Sequence, residues 1–106
     1  MKVEINKKKY DVVFNYTALK KLQELTGVKI FKLSELDEMD NAPLFLAAGV
    51  FGGSYLKDKT ITELPLSIDE CIECLNNDLR LFNQVISNMS SALINAFQEK
   101  NDKGVK

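Results

Sequence analysis

A chain of 106 residues, 45% apolar and 27% charged with five Gly and two Pro, is sized for one domain that buries about two-thirds of the surface its unfolded form exposes; its composition excludes a disordered or fibrous protein. There is no histidine and Arg80 is the sole arginine, so acid-base or metal chemistry would fall to carboxylates and cysteines, and nucleic acid is a poor partner. The net charge of −1 conceals a segregation. Residues 1–33 carry eight Lys against three acids, and residues 34–78 carry ten acids against two Lys. Such a dipole can favour head-to-tail self-association or steer a charged partner; the alternative is two solvated faces.

MKVEINKKKY lacks the apolar stretch of a secretory signal, and two cysteines without an export signal point to a reducing cytoplasm. In KVEI, Val3 and Ile5 share one face while Lys2 and Glu4 take the other, and Tyr10, Val12 and Phe14 repeat the alternation. The link Asn6-Lys7-Lys8-Lys9 makes the pair a hairpin, without the usual turn glycine. Two strands alone are marginal, so their apolar face must lie on helices. Asn15 caps a first helix with Ala18, Leu19, Leu22 and Leu25 as its stripe, and Gly27 closes it in the left-handed conformation. Val28, Ile30, Phe31 and Leu33 read as a short helical turn packed on the core, and Ser34 as the start of another short helix, SELDEMD, whose acids suit its N-terminal dipole.

The run Asn41 to Leu56, NAPLFLAAGVFGGSYL, holds no charge. Leu44, Phe45, Leu46, Ala47, Ala48, Val50 and Phe51 go all round a helical wheel, so this helix must be covered on every side. Asp40 or Asn41 caps it with Pro43 just inside, and Gly52-Gly53 stops it. Its apolar part is about half the roughly 20 residues of a membrane span. Lys57-Asp58-Lys59 is a polar turn and TITELPL an extended connection. Ser67 and Glu70 form a capping box for a helix whose inner stripe is Ile68, Cys71, Ile72 and Leu75. Asn76 and Asn77 break it, and a last helix runs from about Asp78 to Glu99 with Leu79, Phe82, Ile86, Met89, Leu93 and Phe97 inward. Phe45, Phe51, Phe82, Ile86 and Leu93 should meet in one core. The chain therefore reads as α+β, mainly α: an N-terminal β-hairpin packed on a bundle of about four to five helices, one domain over residues 1–100 with 101–106 as a flexible tail.

Motifs that carry chemistry are scarce. Cys71-x-x-Cys74 offers two of the four ligands zinc needs, and the capping box sets Cys71 about one turn inside the helix, away from the N-terminus that would activate a redox thiol; both cysteines read as buried and inert. Gly52-Gly53 lacks the Lys-Ser/Thr of a phosphate loop, and Asp37, Glu38 and Asp40 lack calcium-loop spacing. No catalytic residue, metal or cofactor is expected. One feature stands out: Leu81 to Gln98 is again without charge, so the face opposite the stripe is Asn83, Gln84, Ser87, Asn88, Ser91 and Asn95. Exposed helices normally carry Lys, Glu or Arg there, and charge depletion marks interface centres. These six residues are the candidate partner-binding site.

MKVEINKKKYDVVFNYTALKKLQELTGVKIFKL resembles the opening of the tail assembly chaperones of long-tailed bacteriophages and prophages. PLFLAAGVFGG is similar to that family's apolar middle helix, LPLSIDECIECL to its L-T/S-x-x-E helix, and the last helix to its amphipathic C-terminal one. The missing glycine after Asn6 is a departure. The resemblance covers nearly the whole chain and implies a non-enzymatic helper in the bacterial host cytoplasm. It would bind the hydrophobic tape measure protein, keep it soluble and recruit tail tube protein; members are often also made as a longer frameshift product. A structural tail or head-completion subunit and a small cytoplasmic regulator are the alternatives, and a homo-oligomer is compatible with all three.

Overall fold

A computed structural model describes the backbone of residues 1–105 and the side chains of residues 1–95 other than 30, 31 and 34. Strands Lys2–Ile5 (β1) and Lys8–Asp11 (β2) lead into α1 (Tyr16–Thr26), a 3-10 helix (Ile30–Glu35), α2 (Glu38–Lys57), α3 (Ile68–Asn77) and α4 (Leu79–Val105). The fold is α+β and mainly α, as expected. β1 and β2 pair antiparallel with Val3 opposite Tyr10 and Ile5 opposite Lys8. The turn is Asn6-Lys7 alone, with φ of 53° and 66°; this left-handed pair matches the twist of a two-residue hairpin and places Lys8 and Lys9 in β2 rather than in the turn.

Local signals set α1. The Asn15 carboxamide oxygen accepts from the Ala18 N–H at 2.9 Å, and Gly27, at φ 72°, donates its N–H to the Gln23 carbonyl at 2.8 Å. Ala18, Leu19 and Leu22 are the buried stripe. α2 is the central helix: it touches α1, β2, α3 and α4, and every residue from Phe45 to Gly53 is buried.

Both ends of α2 differ from expectation. Its first turn is Glu38-Met39-Asp40, so SELDEMD forms no separate helix: Ser34 lies in the 3-10 helix and Leu36 is extended. Asp37 is the cap, its carboxylate accepting from the Asp40 N–H at 2.9 Å, and Glu38 and Asp40 add negative charge where the helix dipole favours it. Pro43 accordingly sits in the second turn and denies the Met39 carbonyl its i+4 donor. At the other end the helix passes through Gly52 and Gly53 to Lys57.

The glycines serve packing, not termination. Residues 11–15 lie directly on this part of α2: the Val13 N–H donates to the Gly49 carbonyl at 3.0 Å, and the Asn15 amide donates to the Gly52 carbonyl at 3.2 Å. A Cβ on Gly53 would collide with the Asp11 carbonyl, and one on Gly52 with the Val13 carbonyl and, at 2.8 Å, with the Ala18 Cβ. Lys57, a turn beyond, closes the contact with an ion pair to Asp11 at 3.0 Å, and Lys2 approaches the same carboxylate at 3.7 Å. The Lys57 hydrogen bond is the chief reason the Asp11 carboxyl is held below its usual range.

The core gathers Val3, Val12, Leu22, Leu33, Phe45, Leu46, Val50, Leu66, Cys71, Val85, Met89 and Leu93. Of the five residues expected to meet there, Phe45 and Leu93 do and Ile86 lies at the edge. Phe51 is buried outside that cluster, stacked on Tyr55 at 6.3 Å with Lys21 over its ring, and Phe82 is half-buried. The Ser67–Glu70 capping box is present, but α3 buries Cys71 and Cys74 and leaves Ile72 exposed. α4 runs past Glu99 to Val105; the inward placing of Ile30, Phe31 and Phe97 and the end of the tail fall outside the described residues.

Gly53→Ala separates packing from propensity. Alanine favours an α-helix by about 1 kcal/mol over glycine, whereas overpacking against a backbone carbonyl costs about 1–3 kcal/mol. The variant should melt lower than the parent; an equal or higher melting temperature would show that residues 11–15 can retreat from α2.

Candidate functional site

All six polar residues singled out on α4, namely Asn83, Gln84, Ser87, Asn88, Ser91 and Asn95, are exposed. On a helical wheel they share one arc of roughly 140°. At about 100° per residue, Gln84, Asn88, Ser91 and Asn95 flank the buried stripe on one side and Asn83 lies on the other, with Ser87 between. The Asn88 amide donates to the Gln84 carbonyl at 2.7 Å and reaches the Met1 sulfur at 3.3 Å, so the first side borders the N-terminal strand.

The other side of α4 is apolar and largely uncovered. The buried stripe is Leu81, Val85, Met89 and Leu93, which shares only its last two members with the expected one. Leu79, expected inside, is 77% exposed, and Met39, Ile94 and Ile72 are 73%, 53% and 42% exposed. These four side chains border two shallow grooves. One is lined by Met39, Pro43, Ile72, Leu75, Leu79 and Phe82; the other by Leu36, Glu38, Ile86, Met89, Leu93 and Ile94. Their volumes, about 370 and 270 Å³, lie at the small end of pockets that enclose a ligand, and both are open to solvent. They suit single apolar side chains of a partner.

Sequence reasoning missed this surface because α4 carries two overlapping 3-4 repeats. Leu79, Phe82 and Ile86 make one, Leu81 and Val85 the other, and both run into Met89 and Leu93. An apolar arc wider than the roughly 100° a core-facing helix needs was the available signal.

Chemistry at the cysteines is suppressed. Cys71 and Cys74 are free and buried. Burial, then the neighbouring Cys74 and Glu70, push the Cys71 thiol from 9.0 up to about 12, and burial chiefly raises Cys74 too. A raised thiol pKa in the fold means that the neutral thiol's support for the native state is intact below pH 9.0 and is lost as pH climbs towards 12. Among the described residues, no three His, Cys, Asp or Glu side chains gather to hold a metal, and no helix is long and apolar enough to cross a membrane.

Two outcomes follow from this geometry. Leu79→Gln combined with Ile94→Gln should shift stability by no more than about 0.5 kcal/mol per site, as at other exposed positions; a large fall in melting temperature would show that these residues are covered. At pH 8 both thiols should react with an aromatic disulfide reagent roughly a hundredfold more slowly in the native protein than in denaturant, and equal rates would contradict their burial.

Neither a protein-family model, nor a curated protein, nor a solved structure matches this chain.

Proposed function

We propose that this chain is a non-enzymatic tail assembly chaperone of a long-tailed phage or prophage, which binds the tape measure protein, keeps it soluble and helps recruit tail tube protein. The supporting observation is the surface of α4. Over Leu81 to Gln98 it carries no charge, it exposes Leu79 in the first turn and Ile94 about four turns on, and an apolar groove opens on each side of the α2 N-terminus. Holding a hydrophobic chain soluble calls for such a surface, since a charge at the contact would be buried without a partner. It calls for no nucleophile or general base. The resemblance of the hairpin, α1 and the three later helices to that family supports the same role.

Co-expression with the tape measure protein encoded in the same tail gene cluster tests the role. The tape measure protein should be soluble and co-purify with this chain, and should aggregate without it. Leu79→Gln with Ile94→Gln should fold like the parent, because both side chains are exposed, yet lose co-purification. A tape measure protein that is equally soluble alone would remove the basis for the role, and undiminished capture by the double variant would remove this face from the contact.

A further inference from the structure

We propose that the two apolar grooves together seat one amphipathic helix of basic character from the partner chain, docked along α4 with Lys or Arg flanking its apolar stripe. This rests on the binding role proposed above and specifies the segment that is bound. The grooves are consecutive along α4: Phe82 walls the first, and Ile86, Met89 and Leu93 wall the second. Phe82 to Leu93 spans about 16 Å at 1.5 Å per residue, close to three turns. A single helix with apolar residues at i, i+3 or i+4, i+7 and i+11 covers that length with one side chain in each groove and the others on Leu79 and Ile94.

Charge selects the sign of the partner. Glu38 lines the second groove and Glu35 ends the 3-10 helix beside it. Asp40 lies one turn from Pro43, and Asp69 one turn from Ile72, both of which line the first groove. All four acids are exposed, and none is in an ion pair among the described residues. The cations nearby in sequence are Lys32 and Arg80, and Arg80 is engaged by Asp78 at 3.4 Å. An apolar strip rimmed by exposed acids that make no ion pair among the described residues favours a basic helix in both encounter and register. It disfavours a second copy of this chain: a symmetric pairing through the same face would set the four acids against their counterparts. Elsewhere a copy exposes only Tyr16 and Leu56 as large apolar side chains among the described residues.

The test uses the full chain and a fluorescent 18-residue helix of Leu and Lys, with its Leu and Glu counterpart as control, followed by anisotropy. The Leu/Lys peptide should bind and the Leu/Glu peptide should not. Glu35→Lys with Glu38→Lys should weaken binding about tenfold at low salt, and Leu79→Gln with Ile94→Gln should weaken it at least as much, each variant first shown by its melting curve to fold. Binding that survives loss of both apolar side chains is diffuse charge attraction and overturns the docking site. Equal binding of the acidic peptide, or a concentration-dependent dimer that blocks the basic one, overturns it as well. If the tape measure protein is still captured by both groove variants, the helix site is wrong while the chaperone role stands; if the basic peptide docks but the tape measure protein is never captured, the role fails and the site stands.

Discussion

Residues 11–15 meet the glycine face of α2 so closely that a Cβ on Gly52 or Gly53 would strike a backbone carbonyl, and that distance of approach sets where the hairpin stands relative to the helices. The Val13 N–H reaches a carbonyl of α2, and Asn15 binds α2 through its amide while its oxygen caps α1. One residue thus fixes both the start of α1 and its position on α2. An extended segment this close to a helix leaves its polar groups away from water, and the hydrogen bonds to Gly49 and Gly52 satisfy them. With β2 and α1 on one side and α3 and α4 on others, the middle of α2 is covered all round, which is why it can be apolar all round.

What the neighbours leave uncovered is the first part of α2. Below Phe45 the helix carries Glu38, Met39, Asp40 and Asn41, none of them buried. α4 crosses here with more apolar surface than α2 can cover, so Phe82 and Ile86 end half-buried and Leu79 exposed. The candidate site therefore results from a mismatch of widths: a broad apolar arc on α4 meets a helix whose own first turns are acidic. α3 adds Ile72 to the same margin.

Elements set by short-range chemistry were legible in the sequence. Asn15 and Gly27 bracket α1, and Ser67 with Glu70 opens α3, because a cap is a contact between residues three or four apart. Signals with two physical meanings were misread. Gly52-Gly53 can end a helix or admit a close neighbour, and only the position of Asp11 and Val13 decides which. Pro43 reads as a first-turn residue until Asp37 is seen to cap the helix further upstream. On α3 the choice between Ile72 and Cys74 for the inner face, and on α4 between Phe82 and Val85, depends on helix rotation set by tertiary neighbours. The absence of charge over Leu81 to Gln98 was visible at once; that the apolar flank, rather than the polar one alone, lies open was not.

The strength of contact available at this surface is modest, and this bears on the proposed role. Fully burying one large apolar side chain yields about 1.5–3 kcal/mol, so Met39, Ile72, Leu79 and Ile94 supply at most about 6–12 kcal/mol gross on this side of the contact, and a partner's matching side chains add a similar amount. Lost translational and rotational freedom consumes about 4–15 kcal/mol of any association. The apolar strip is therefore left with a limited surplus once side-chain ordering is also met, and the acidic rim around it acts more on encounter rate and register than on affinity. The proposed role, in which a long client is held and later released, would call for contacts of this kind, individually reversible and repeated along the client.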